Sequence, residues 1–253
     1  MEKPLVSVIM PTYKQPQYLP TSVLGVMTQT YLNLELIVVP VVDDEQTMGG
    51  LKELQHMFPA FIVAASDRAS IVHQINVGLG KAHGTYVTLI ASDDFMLPGK
   101  IADEVNVAHM RNALLVYSLF FYGDDNLTIT GGVTTQSVPV FSYDTLICRN
   151  YITDNALVHR SMYDEFGPFD ESLEILAVYD KWLHIAEKHP THIVRNPVPT
   201  FIYRQHGDQA HEKRIAMQEK DRFELYRRVV SSSLQRMGRD VKPEDVNFRV
   251  TQI

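Results

Sequence analysis

The sequence predicts an α/β fold: a Rossmann-like, mainly parallel central sheet flanked by helices, with a smaller subregion toward the C-terminal half. Three observations predict it. Short apolar runs, each stopped by a proline or a polar cluster, alternate with stretches of helical spacing. The first such unit, strand then helix then strand, implies a parallel crossover. The stretch Thr85 to Gly99 runs apolar from Tyr86 to Ile90 and then meets Asp93 and Asp94, as a buried strand does when it ends at the ligand-binding edge of an open sheet.

Leu5 to Met10 is the first strand, ended by Pro11. Leu19, Val23, Val26, Met27 and Thr30 follow at helical spacing, and Leu34 to Val39 is the second strand. The turn Pro11-Thr12-Tyr13-Lys14 then lies on the same edge as Asp93 and offers a hydroxyl and an aromatic face on which a base or sugar could rest; Tyr13 serves equally as a packing residue. The second strand ends at Pro40-Val41-Val42-Asp43-Asp44-Glu45, a further acidic cluster. Gly49-Gly50 breaks the chain, Leu51 to Met57 is a short helix, and Phe61 to Ala65 is a third strand ending at Ser66-Asp67-Arg68. Arg68 is a phosphate or base contact, its planar fork always charged, or the partner of Asp67 in a surface ion pair.

Ile71 to His83 is the next helix, with Gly84 as its stop. Gly78, Gly80 and Gly84 do not form a dinucleotide fingerprint, because a phosphate-cradling loop follows a strand and opens a helix, and these glycines do the reverse. Ile101 to Met110 is helical and Ala113 to Tyr122 is a long strand. Gly123-Asp124-Asp125-Asn126 sits between that strand and alternating Leu127 to Thr130, which reads as a hairpin turn without chemistry. Ala156 to His159 is a short strand, Ser161 to Phe166 a short helix closed by Gly167-Pro168. Tyr179, Trp182, Leu183 and Ala186 mark the buried face of a helix with Asp180 at its start, where a carboxylate can be simply a cap. Pro197 and Pro199 frame a turn, Thr200 to Tyr203 is a strand, Arg204 to Gly207 a loop, and a long last helix reaches about Met237.

Composition narrows the function. The chain has 253 residues, 45% of them hydrophobic, and a formal net charge of -7, which fits a globular core and argues against nucleic acid as partner. A single cysteine, Cys148, excludes an internal disulfide framework and a cysteine metal cluster. The N-terminal apolar run is too short for a signal peptide and no segment has the length of a transmembrane span. The expectation is a cytoplasmic protein, docked peripherally at the inner face of a membrane if its substrate is lipid-linked. Adjacent carboxylates at a strand end suit a hard divalent cation carrying phosphates.

Four stretches in order, VSVIMPTYKQPQYL with MTQTYLNLELIVV, NVGLGKAHGTYVTLIASDDFMLPG, GPFDESLEILAVYDKWL and IYRQHGDQAH, resemble the family 2 glycosyltransferases of the GT-A fold, especially short bacterial members similar to spore-coat polysaccharide enzymes. The resemblance runs from about Val6 to His211. It implies one GT-A domain over 1-253, with a nucleotide-sugar donor half at 1-112, an acceptor half at 113-211 and a C-terminal helix and tail at 212-253. It implies an inverting, metal-dependent transfer of a sugar from a nucleotide-sugar donor, a UDP-sugar foremost, to a hydroxyl of a glycan or lipid-linked acceptor. Carried over residue by residue, Pro11, Thr12 and Tyr13 would line the base, Asp44 would accept its hydrogen bond and Arg68 would lie near base or diphosphate. Asp93 and Asp94 match the acidic pair at the ribose and a divalent metal, Mn or Mg. His206 matches a loop histidine that reaches the metal in some members, and Asp180 the acceptor-side general base. The sequence departs from the family pattern at Lys14, where asparagine is usual, at the apparent insertion Pro40-Val41, at Ala91 and at Tyr179. A catalytically inactive relative that binds nucleotide or glycan is the alternative those departures leave open. A Rossmann oxidoreductase is excluded by the lack of a glycine-rich turn after the first strand.

Overall fold

A computed structural model describes residues 3–57, 61–207, 219–240 and 242. Its strands form one eight-stranded sheet. In chain order the elements are β1 (Val6–Thr12), α1 (Leu19–Met27), β2 (Leu34–Pro40), α2 (Glu45–Met57), β3 (Phe61–Val63), α3 (Ile71–Leu79), β4 (Tyr86–Leu89), β5 (Phe95–Met96), α4 (Lys100–Arg111), β6 (Leu115–Gly123), α5 (Tyr143–Cys148), β7 (Leu157–His159), α6 (Ser161–Phe166), α7 (Ala177–Lys188), β8 (Ile193–Arg204) and α8 (Glu219–Arg236). The strand order is β3-β2-β1-β4-β7-β6-β8-β5. β3, β2, β1 and β4 run parallel, as does the pair β6 and β8. β7 is antiparallel to both β4 and β6, and β5 to β8.

The pleat explains why the sheet is covered on both faces. Every residue of β1 is buried, and successive side chains point to opposite sides. Ile9, Ile37 and Val39 join the core that contains Val72 and Ile75 of α3 and Trp182 and Leu183 of α7. Val8, Met10, Leu36 and Val38 join the other, with Leu19 and Val23 of α1, Leu51 and Leu54 of α2 and Ile101 of α4.

Several boundaries differ from the sequence reading for local reasons. Gly49 and Gly50 lie inside α2: Asp44 caps this helix, accepting the Thr47 N–H at 3.1 Å and its hydroxyl at 2.6 Å, and nucleates it ahead of the glycines. α3 stops at Leu79, so Gly84 is no helix stop. A Cβ there would lie 2.6 Å from the Ser7 N and the Tyr86 carbonyl; glycine lets the connection press against β1. Pro197 and Pro199 form no turn and lie within the continuous β8. The register against β6 shifts between Ser118 and Leu119, opposite those prolines, so an irregularity absorbs the missing donors. β5 had no sequence signal, being two residues long, yet it anchors the chain after the acidic pair by pairing Phe95 and Met96 with Ile202 and Phe201 of β8. The turn after β6 is present, with the Asp124 N–H on the Thr128 carbonyl at 2.9 Å, but its return arm pairs only through the bridge between Gly123 and Ile129. The expected start of the last helix lies outside the described residues.

Candidate functional site

The carboxyl ends of β1, β2 and β4 meet on one edge of the sheet. At the first, the chain leaves β1 through Tyr13 and Lys14, and Lys14 takes a left-handed φ of 55°. That conformation turns the Lys14 N–H onto Asp44 Oδ2 at 2.6 Å. Asp44 therefore joins the turn after β1 to the start of α2. Burial raises its pKa, but the hydrogen bonds from Thr47 and the Lys14 N–H outweigh this and hold the carboxyl below its ordinary range. Tyr13 is half-buried under the Lys14 ammonium, which lies 4.9 Å from its ring. Pro11 and Thr12 are buried in β1; the Thr12 carbonyl accepts from Gln74 at 2.8 Å, while its hydroxyl, fully buried, has no hydrogen-bond partner.

The acidic pair sits deeper, with Asp93 8% and Asp94 6% exposed. Asp93 Oδ2 faces Gln15 Nε2 and His206 Nε2, each at 3.0 Å. Ser92 donates to the other end of the same Gln15 amide at 2.9 Å. Asp94 Oδ1 accepts the Arg204 N–H at 3.0 Å. Burial, then the neighbouring Asp93 charge, push the Asp94 carboxyl well above its ordinary value, with Arg204 opposing and Asp154 adding to the rise.

Arg204 fastens this edge together. Its Nε donates to the Asp93 carbonyl at 2.5 Å, one terminal nitrogen to the Asp125 carbonyl and the other to Thr21 Oγ1 at 2.9 Å. Its guanidinium lies 4.6 Å from the Tyr18 ring centre, and that ring packs 4.4 Å from His206. The Tyr18 hydroxyl donates to Asp125 Oδ1 at 2.5 Å. Gln15, Tyr18, Arg204, Asp125 and Asp154 escaped the sequence reading. Asp125, read as part of a plain turn, frames the site through Tyr18 and Arg204. Arg204 stood two residues from a candidate ligand, but nothing in the spacing showed that its side chain turns inward.

Two candidates stand apart from this cluster. Arg68 is engaged by Glu171 at 3.3 Å, His73 at 2.8 Å and, more weakly, Asp67 at 3.7 Å, so the ion-pair reading describes its contacts, extended to Glu171. Asp180 lies in the first turn of α7, past the capping residue Leu176. Its carboxylate faces His184 at 3.3 Å and Arg236 of α8 at 3.8 Å.

Among the described residues, no three His, Cys, Asp or Glu side chains converge as a ready-made metal cluster. The residues nevertheless fit a divalent ion held jointly with a ligand. Mg and comparable hard ions draw one or two carboxylates from the protein and the rest from substrate phosphates and water. Asp93 Oδ2 and His206 Nε2, already 3.0 Å apart, are such a pair of donors beside the buried Asp94.

The chain is similar to known proteins both in sequence and in fold. Residues 7–167 match the family described as Glycosyl transferase family 2. An uncharacterized glycosyltransferase of Haemophilus influenzae is 28% identical over 130 residues, 49% of this chain and 50% of its own; a second from the same organism is 23% identical over 257 residues, covering 94% and 77%. The hyaluronan synthase of Pasteurella multocida is 24% identical over 244 residues, 93% of this chain and 24% of the synthase. The chain spans half the length of the first of these relatives and about a third of an uncharacterized glycosyltransferase of Rickettsia felis that it also matches. In fold it is similar to S. aureus TarS 1-349 in complex with UDP, at TM-score 0.70 and 14% identity over 94% of this chain and 67% of that one. It is also similar to the mannosyltransferase PcManGT of Pyrobaculum calidifontis in complex with GDP-Man and Mn2+, at TM-score 0.67 and 15% identity over 95% and 66%. With the curled, mainly parallel sheet of the GT-A fold and a family match over more than half its length, the chain belongs to glycosyl transferase family 2.

Proposed function

We propose that this protein transfers a sugar from a nucleotide-sugar donor to a hydroxyl of a glycan or lipid-linked acceptor, in polysaccharide or glycoconjugate synthesis, with inversion at the anomeric carbon and with a divalent metal. The observation that carries the proposal is the buried group Asp93, Asp94 and His206 at the carboxyl end of β4, beside the turn of Tyr13. The UDP and UDP-GlcNAc of the TarS structures and the GDP-Man and Mn2+ of the PcManGT structure support the donor class; a UDP-sugar is the donor we assign first.

Each residue then has a task. Tyr13 offers its ring to the base. Thr12 contributes an unpartnered hydroxyl and Pro11 the fixed strand end, while Asp44 holds the turn and accepts from the base. Arg68 reaches toward the diphosphate by exchanging Glu171 for phosphate. Asp93 holds the ribose and, with Asp94 and His206, the metal. When bound, Mn2+ or Mg2+ supplies positive charge to the leaving diphosphate oxygens. Asp180 takes the proton of the acceptor hydroxyl as its oxygen attacks the anomeric carbon from the face opposite the leaving group; to do so it must release His184 or Arg236. That engagement is the observation behind a second reading, a nucleotide- or glycan-binding relative without transfer.

No described helix is long and apolar enough to cross a membrane; the cytoplasmic side, with peripheral docking for a lipid-linked acceptor, is the place we assign to the reaction. The test is release of nucleoside diphosphate from a panel of UDP- and GDP-sugars with Mn2+ and a set of glycan and lipid-linked acceptors, with the product anomer read by NMR. Acceptor-dependent release with an inverted product fits the proposal. Tight donor binding with no release under any acceptor favours the binding module.

A further inference from the structure

The one fully buried ion pair among the described residues lies behind the site and has no part in the chemistry above. Lys100, the first residue of α4, and Glu104 are both 0% exposed, and Lys100 Nζ lies 2.6 Å from Glu104 Oε1. The same Oε1 accepts from Ser118 of β6 at 2.6 Å and from Thr200 of β8 at 3.3 Å, while Glu104 Oε2 has no hydrogen-bond partner. A pair sealed this deeply is seldom worth more than apolar side chains of the same volume. Its outward bond is more telling. Lys100 Nζ also donates to the Asn155 carbonyl at 2.8 Å, and Thr88 Oγ1 of β4 donates to that same carbonyl at 2.8 Å.

Topology gives this bond its meaning. β7 runs antiparallel to β4, pairing Tyr86 with His159 and Val87 with Val158, so the chain approaching β7 passes the carboxyl end of β4, where the acidic pair begins. Thr153 closes that approach by donating to Asn155 Oδ1 at 2.8 Å, and the Ala156 N–H returns to the Thr153 carbonyl at 3.2 Å. Between them stands Asp154, exposed to solvent, in the segment that passes the carboxyl end of β4. Lys100 follows Asp94 by six positions. It thus ties the chain that leaves the acidic pair to the segment that carries a third carboxylate, Asp154.

We propose that the Lys100–Glu104 pair is a positioning device: it holds segment 153–156 against the acidic end of β4, so that Asp154 stands as a third carboxylate at the edge where transfer takes place. The role of Asp154 rests on the transfer reading given above; the holding of the segment does not.

The experiment pairs two variants. In the double variant Lys100→Met with Glu104→Gln no charge is left uncompensated, and hydrogen exchange at the Ala156 amide should quicken relative to the wild type. Its kcat should fall roughly tenfold or more, the range of a lost supporting bond, with the donor KM unchanged. Asp154→Asn, at an exposed position, should lose kcat to a similar degree with exchange at Ala156 unaltered. If the double variant does not fold, Thr88→Val replaces it in the exchange measurement. Unchanged Ala156 protection in the double variant, or in Thr88→Val when that stands in, overturns the holding role, and wild-type kcat in Asp154→Asn overturns the role of the carboxylate. A wild-type protein that transfers no sugar counts against the transfer reading, and with it the role of Asp154, while the exchange measurement still decides whether Lys100 holds the segment.

Discussion

His206 Nε2 lies 3.0 Å from Asp93 Oδ2, across 113 positions of sequence, and the Tyr18 ring packs against the imidazole. One residue comes from the loop after β8, the other from the end of β4, so the candidate metal donors are assembled only when the whole sheet closes. Antiparallel pairing of the two-residue β5 with β8 makes that meeting obligatory.

Removing His206, or the buried Asp94 beside the pair, should therefore cost binding rather than folding. We expect His206→Ala and Asp94→Ala each to weaken Mn2+-dependent binding of a nucleoside diphosphate by on the order of tenfold, measured by calorimetry, with metal-independent binding little changed. Unaltered Mn2+-dependent affinity would remove that residue from the site.

Arg204 is a structural fastener. Arg204→Met leaves the Asp93 and Asp125 carbonyls and the Thr21 hydroxyl without their donor. At roughly 1 kcal/mol for each lost hydrogen bond, the variant should be about 3 kcal/mol less stable in urea unfolding. Arg204→Lys should recover little, since an ammonium cannot span the three directions of the guanidinium.

Asp44 carries a pH signature. Because its carboxyl is held below the ordinary range in the folded state, its contribution is present above about pH 3.9, the unfolded value, and is lost as pH falls through the lower folded value. Asp44→Ala should cost about 1 kcal/mol at neutral pH through the lost cap. Its deficit against the wild type should shrink in acid unfolding experiments.

Asp180→Asn separates two roles. If Asp180 is the general base, transfer should fall to background while donor affinity and melting temperature stay near wild type. Retained transfer with a lowered melting temperature would assign Asp180 to the tie between α7 and α8 through Arg236.

What the sequence made legible was whatever depends on local pattern. The apolar runs of β1 and β2, the helical spacing of α1 and α3, and the acidic stop after β4 each arise from neighbours in the chain, and each was found near its observed bounds. The misreadings arose where tertiary contacts overrode local propensity. Gly49 and Gly50 stay helical because Asp44 caps the helix ahead of them. Pro197 and Pro199 stay in a strand because β6 shifts register opposite them. In the site, carboxylates that end an apolar run announce themselves, whereas Arg204 and Asp154 acquire a place only from strands that pair across the chain.

The most direct test of the central claim is the thermal unfolding midpoint with UDP and with GDP, each with and without Mn2+, for the wild type and Asp93→Asn. A ligand that binds only the native state raises the midpoint. The expected result is a rise with one nucleoside diphosphate, dependent on Mn2+ and lost in Asp93→Asn. No rise with either nucleotide, or an equal rise without metal and in the variant, would contradict it.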